Sequence, residues 1–425
     1  MKFAIVGAGS SYTPELIEEM IRRRETLPVE ELVLYDIDEK RLDIMTGFCR
    51  RFADKRGMQG LKIRKTLDLD DALYGAAFVD TQIRVGGNKQ RVKDEKIPLK
   101  YGLVGQETTG AGGMMKAFRT IPVMLNVARH MEKDSPDGWL INYTNPTGLV
   151  TEAVTRCTKA NIAGFCSGGI FPKMWAKSAF GMDYNDANYK RVQYDYIGLN
   201  HMNFISNITI DGKPITEEQF MALAAQQSVD PELCKLLGVL VSPYLQYYYH
   251  THKVVEKLKA APKTRGEYVQ ELEKEVYSAY ADPDNADKPA ALEKRGGGGY
   301  SEVAMTFVNA VYNNDDTEMV VNVPNNGAIP FLPDSAVVEI NCMVNQRGMQ
   351  PIHKSLDKIP PMCWGLISEV KNYEQLAVEA AIEGSITKMK WALLAHPLVR
   401  EYDLVEKLVP ELLEANKEFL PQFKF

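Results

Sequence analysis

The stretch that most constrains the fold comes first: Lys2-Phe-Ala-Ile-Val-Gly-Ala-Gly-Ser-Ser-Tyr-Thr-Pro14. An apolar run from Phe3 to Val6 meets Gly7 and Gly9. Thr13 and Pro14 then open a segment whose Leu16, Ile17, Met20 and Ile21 share one helical face. Thr13 can cap that helix, and Pro14 suits its first turn, where no amide donor is missed. Strand, glycine turn and helix N-terminus in succession suit a pyrophosphate, because free amides and the helix dipole meet the anion there. The third glycine of the dinucleotide fingerprint is absent, with Tyr12 in its place. Alone, this stretch fits a nicotinamide dehydrogenase.

The next strand, Glu31 to Asp36, ends in a carboxylate 29 residues after Gly7. An acid there grips the adenosine ribose diol and repels a 2′-phosphate, favouring NAD over NADP; Arg41 slightly weakens that preference. The alternation continues. Leu61 to Thr66, Phe78 to Val85, Trp139 to Tyr143 and Ile162 to Cys166 read as strands; Asp68 to Tyr74 and Met114 to Met131 read as helices. Such alternation means a parallel sheet with crossovers, whose ligands lie beyond the carboxyl ends of the strands. Three polar clusters fall there: Arg84 to Arg91, Asn142 to Pro146 and Cys166 to Gly169.

Beyond an aromatic loop (Phe180 to Tyr194), a strand ends at His201, and Asn203 to Ile215 reads as a hairpin around Asp211 and Gly212. Asn322 to Asn325 and Val337 to Asn341 read as strands, and 373 to 416 as helix. The fold class is therefore α/β. A Rossmann-like parallel-sheet domain over 1–190 is followed by a mixed α+β lobe over 191–425, which carries the substrate and metal sites.

A net charge of −6 without a basic tail argues against nucleic acid as a partner. No apolar run approaches the roughly 20 residues of a membrane helix. With a strand beginning at Lys2, no signal peptide is expected. Six cysteines without paired spacing suit reduced thiols in the cytoplasm.

Several motifs occur together and in order: Gly7-x-Gly9-Ser10-x-Tyr12-Thr13-Pro14, Leu34 to Asp38, Gln82 to Gly87, Gly105 to Gly110, Arg119 to Pro122 and Asn142 to Pro146. Cys166, Gly198 to His201, Tyr244 to Tyr248, Thr264-Arg265 and Asn322 to Asn325 follow. In these motifs the chain resembles the NAD-dependent glycoside hydrolases of family 4, from residue 1 to about 400. That family departs from two-carboxylate glycosidase chemistry. The resemblance implies NAD on Gly7, Gly9, Ser10 and Asp36, and a divalent ion, manganese or similar, on Cys166 and His201. It places the base on Tyr244, with Tyr247 and Tyr248 as alternatives, and substrate contacts on Arg91, Asn145 and Arg265. It also implies a homodimer or homotetramer. On the residues alone, Cys166 reads as a buried thiol and His201 as a histidine satisfied by backbone. The tyrosines read as packing groups, and Arg84 equally as a solvated charge. The flanks Gly-Phe-Cys166 and Gly-Leu-Asn-His201 carry the ligand reading. Lys294 to Ser301 reads as a further active-site loop without a role.

The implied reaction is hydride removal at sugar C3, C2 deprotonation by Tyr244, elimination at C1, water addition and hydride return. In the family's α-glycosidases an aspartate follows the cysteine and serves as acid. Here Ser167 follows Cys166, the form of the 6-phospho-β-glucosidases, so a phosphorylated β-linked disaccharide or aryl glucoside is the expected substrate. An α-linked or unphosphorylated glycoside, a conventional dehydrogenase and an NAD-sensing protein remain alternatives.

Overall fold

The computed structural model describes residues 1–182, 190–296 and 298–424. The aromatic loop at 180–194 and the glycine-rich loop at 294–301 lie partly outside the described residues, and the expected division at 190 falls beside them. The first strand, β1 (Lys2–Val6), is flanked in parallel by β2 (Glu31–Tyr35) and β4 (Phe78–Thr81). With β3 (Lys62–Thr66), β5 (Trp139–Asn142) and β6 (Asn161–Gly164), the parallel order is 3-2-1-4-5-6, the dinucleotide-binding arrangement. The inner strands β1 and β2 are near-continuous buried apolar runs, as a parallel sheet covered on both faces requires, whereas β3 at the edge is mostly polar.

The sheet continues beyond β6. In the small antiparallel sheet lie β7 (Val192–Leu199), β8 (Met202–Ile210), β9 (Lys213–Pro214) and β10 (Leu240–Val241). Then β11 (Thr317–Pro324), β12 (Val337–Asn345) and β13 (Gly348–Pro351) join the first sheet antiparallel, giving it nine strands among the described residues. The link from β11 to β6 is a single register pair, Asn322 with Gly164. Asn341 joins the two sheets: its side-chain oxygen accepts from Tyr196 N at 2.7 Å, and its Nδ2 donates to Tyr194 O at 3.1 Å.

Several local expectations change. The first helix is Thr13–Arg22, but Thr13 makes no side-chain cap; its hydroxyl donates to Ala8 O at 2.8 Å and accepts from Gln82 Nε2 at 2.8 Å. The hydroxyl braces the glycine turn instead. The strand expected to reach Val85 stops at Thr81, where Ile83 N turns to Thr144 Oγ1 at 3.1 Å. The 373–416 segment is three helices, Pro361–Glu383, Ile386–Ala395 and Tyr402–Asn416. The first ends at Gly384, whose φ of 67° suits glycine, and the second is capped by Ser385.

Arg119, fully buried on the helix Gly110–Asp134, pairs with Asp94 on the helix Gly87–Lys100 at 2.6 and 2.9 Å and donates to Val85 O at 3.2 Å. That buried pair fixes two helices at the rim of the main cleft.

Candidate active site

A cleft of about 1810 Å³ runs along the carboxyl edge of the parallel strands, lined by Gly7, Gly9, Asp36, Arg91, Tyr244 and Arg295 among others. At one end, Gly7 N and Ala8 N both donate to Tyr35 O at 2.9 Å, which pins the turn to β2. Gly7 has φ 89°, and a Cβ there would stand 2.9 Å from Ile83 Cγ2. Asp36 Oδ2 accepts from Gly9 N at 2.8 Å, and a Cβ on Gly9 would stand 2.7 Å from that oxygen. Ser10 Oγ accepts from Tyr12 N at 3.3 Å. The buried Ser11 Oγ has no hydrogen-bond partner. Backbone open to close approach and a carboxylate at the end of β2 fit a dinucleotide. Tyr12, where a glycine was looked for, carries the Arg295 guanidinium 4.4 Å above its ring.

At the other end, Cys166, His201 and Tyr244 come together. Cys166 follows β6 and starts a 3-10 turn, where Gly168 N donates to its Sγ at 3.4 Å. Gly169 in that turn is required by packing, since a Cβ would be 2.7 Å from Val320 Cβ. His201 lies in the two-residue turn between β7 and β8 at φ 65°, a strained value for a non-glycine residue. Asn203 Nδ2 braces that turn on Leu199 O at 2.7 Å, and Asn200 Nδ2 donates to Glu339 Oε1 at 3.0 Å. Tyr244 is near because β10 pairs with β8 and leads into a turn whose Ser242 N donates to Asn203 O at 2.9 Å. The Tyr244 and His201 rings stack at 3.9 Å.

Cys166 Sγ lies 3.5 Å from His201 Nε2, close enough for both to hold one ion at bond lengths of about 2.0–2.3 Å. Burial lowers the His201 pKa to about 3, so the ring is neutral, as a metal ligand must be. Burial, followed by the Glu339 carboxyl, pushes the Cys166 thiol up to about 12, so a thiolate there calls for a cation. Two protein donors leave positions for sugar oxygens. Burial also pushes the Tyr244 phenol well above its usual value, with Cys166 second, while Arg91 acts in the opposite direction. Tyr248 is engaged elsewhere: its hydroxyl meets Thr109 Oγ1 at 2.8 Å and its ring stacks on His396. Tyr247 meets Tyr244 edge-on at 6.0 Å.

Between the two ends lies a charge cluster. The half-buried Glu107 pairs with Arg84, with Arg91 Nη1 at 3.0 Å and with Lys116 Nζ at 2.8 Å; Arg91 Nε also meets Glu95 at 2.8 Å. Arg84 is thus a paired cleft residue rather than a solvated charge. Burial and the Arg84 charge lower Lys116 to about 7. Burial acts against Glu107 ionisation, but Arg84, Lys116 and Arg91 hold it well below the usual carboxylate range. Asn145 and Arg265 line the cleft without contacting the Cys166, His201 and Tyr244 group in any recorded bond. Arg265 Nη2 donates to the carbonyls of Lys294 and Arg295, at 3.1 and 2.6 Å.

Sequence reasoning gave no role to Glu107, Lys116 or Glu339. Lys116 and Glu339 were signalled only as charged residues amid apolar neighbours, as in Val338-Glu339-Ile340, and Glu107, between Gln106 and Thr108, carried no such signal. Burial raises Glu339 to about 7, and its Oε1 also accepts from Asn322 Nδ2 at 2.9 Å.

The chain is similar to known proteins along nearly its whole length. A profile described as family 4 glycosyl hydrolase matches residues 2–179, and one for the C-terminal domain of that family matches residues 196–399. A probable 6-phospho-beta-glucosidase of Bacillus subtilis (strain 168) is 39% identical over 440 residues, covering 100% of this chain and 98% of its own. A 6-phospho-beta-glucosidase of Escherichia coli (strain K12) is 37% identical over 443 residues, covering 100% and 97%. The structure of the 6-phospho-beta glucosidase from Thermotoga maritima with manganese, NAD+ and glucose-6-phosphate superposes with a TM-score of 0.89 at 32% identity, covering 99% of each chain.

Proposed function

The chain belongs to the family 4 glycosyl hydrolases, and we propose that it is a 6-phospho-β-glucosidase working with NAD and a divalent ion, the pair found together in the Thermotoga maritima structure. The observation that carries this reading is the meeting of Cys166, His201 and Tyr244 in the cleft that begins at the glycine turn. When bound, the dinucleotide supplies a reversible hydride acceptor and the ion a Lewis acid for sugar oxygens. Gly7, Gly9, Ser10 and Asp36 hold the first; Cys166 and His201 hold the second. Tyr244 removes the C2 proton of the sugar and returns it; burial opposes its phenolate, which Arg91 favours and a bound divalent ion would favour further. Arg91, Asn145 and Arg265 orient the phosphorylated sugar, with bidentate guanidinium suited to phosphate. The Glu107 cluster keeps Arg84, Arg91 and Lys116 in place.

Ser167, buried at the start of the 3-10 turn, has no carboxyl to protonate a leaving group, which favours a β-linked substrate. Residues 1–190 serve the coenzyme and also supply Arg91, Asn145 and Cys166, and 191–425 contribute His201, Tyr244 and Arg265. The protein acts as a homodimer or homotetramer in the cytoplasm; no helix among the described residues is long and apolar enough to cross a membrane. The test is release of phenol from aryl glucosides with NAD+ and Mn2+ present. Turnover of the 6-phospho-β-glucoside without net NADH supports the reading. Turnover of the α-anomer or the unphosphorylated glucoside instead, or stoichiometric NADH, overturns it.

A further inference from the structure

The edge of the glycine turn carries a guanidinium that the coenzyme reading leaves without a task. A Cβ built on Gly9 would stand 2.7 Å from Asp36 Oδ2 and 3.0 Å from Arg41 Cβ, so the Arg41 stem and the Asp36 carboxylate border the same point. An acid here grips a ribose diol, and an arginine here accommodates a 2′-phosphate; this chain has both. The Arg41 head lines the same cleft but is engaged by acidic and aromatic neighbours. Its Nη2 is 3.8 Å from Glu273 Oε2, its Nε 3.6 Å from Asp38 Oδ2, and its guanidinium lies 4.9 Å from the centre of the Tyr277 ring.

Glu273 is a fixed anchor. It is buried on the helix Arg265–Ala281, accepts from Asn88 Nδ2 at 2.9 Å and pairs with Arg295 at 2.9 Å. Four residues further along the same helix, Tyr277 donates to Gly9 O, and Tyr280 then donates to Ser11 O at 3.0 Å. The helix is thereby clamped to the glycine turn, and Glu273 faces the coenzyme edge at a set distance.

We propose that Glu273 is a positioning residue for coenzyme choice: it holds Arg41 away from the adenosine ribose, so that Asp36 alone reads that edge and NAD is preferred to NADP. The inference rests on the NAD reading above. Asp36 repels a 2′-phosphate directly; Glu273 acts by withholding a cation whose stem borders the same point and which would offset that repulsion.

The test is calorimetric titration of the full chain with NAD+ and with NADP+, which needs no turnover. Glu273→Gln should tighten NADP+ binding about tenfold while NAD+ stays within about threefold. Introduced into an Arg41→Ala background, the same change should move NADP+ by less than about twofold, a coupling that a general loss of structure or of negative charge does not produce. Arg41→Ala alone should weaken NADP+ less than about twofold, because the guanidinium is already withheld; this holds the inference to account even where Glu273→Gln fails to fold. An unchanged NADP+ affinity in Glu273→Gln, an equal gain without Arg41, or a large NADP+ loss in Arg41→Ala each overturns the inference. If the unaltered protein binds NAD+ and the ratio does not move, only this inference falls; if it binds neither dinucleotide, the coenzyme reading falls with it.

Discussion

Replacing Glu107 by glutamine keeps the shape of the cleft and removes the charge on which three cations converge. Arg91 retains Glu95 at 2.8 Å, whereas Lys116 and Arg84 lose the carboxylate that each contacts. Breaking a buried pair by removing one partner costs about 3–5 kcal/mol. Lys116, already lowered to about 7, can shed its proton and avoid standing as an uncompensated charge, so the lower end, about 3 kcal/mol, applies. With an unfolding entropy of about 2.1 cal/mol/K per residue, this is a fall in Tm of only about 3 °C for a chain of 425 residues. At the cleft the same energy counts for more: felt in full by the transition state, about 3 kcal/mol is about a hundredfold in kcat/KM. The assays are a thermal melt and turnover of an aryl 6-phospho-β-glucoside. A Tm and a kcat/KM both within error of the unaltered protein would refute the reasoning, since the cluster would then carry neither stability nor orientation.

Tyr244→Phe should lower turnover by about 10²–10⁴ while NAD+ affinity, measured by titration, is kept; retained activity would remove Tyr244 as the base. Cys166→Ser should raise the Mn2+ concentration needed for half-maximal activity by at least about a hundredfold, the loss of a direct ligand exceeding the 10–100-fold of an outer-shell change. In the metal-free protein, acid should destabilise the fold through His201 and His396, both held neutral by burial with pKa lowered to about 3. The unfolded rings take up protons below about 6.5, so stability is full above that pH and falls as the pH drops towards 3. Between pH 7 and 5 each ring contributes a loss of about 2 kcal/mol, and His396→Gln should remove about half of that slope in denaturant melts.

Much of the parallel half of the fold is legible in the chain. Phe3 to Val6, the two glycines and the face formed by Leu16, Ile17 and Met20 signal strand, turn and helix through short-range patterns that burial then satisfies. The extension of the sheet by β11 to β13 is only partly legible: Asn322 to Asn325 marks the end of β11 and Val337 to Asn341 most of β12, but β13 gives no signal, and the single pair Asn322–Gly164 that attaches them is a long-range contact. Thr13 looks like a cap because caps are local, whereas the Gln82 side chain that claims its hydroxyl comes from another strand. Within the site, Cys166, His201 and Tyr244 were singled out by their flanking motifs. The Glu107 cluster was not, because nothing in Gly105 to Gly110 shows that Arg84, Arg91 and Lys116 will share one carboxylate. Arg265 was expected to face substrate; it lines the cleft and also ties down the loop at Lys294 and Arg295.

The central claim is that the glycosidic bond is broken through removal and return of the C2 proton rather than by direct displacement. Hydrolysis of an aryl 6-phospho-β-glucoside in deuterated water, followed by proton NMR of the glucose 6-phosphate released, tests it most directly. The account predicts deuterium at C2 in the product, dependent on NAD+ and Mn2+ and lost in step with activity in Tyr244→Phe. Product formed at full rate with hydrogen retained at C2 would contradict it.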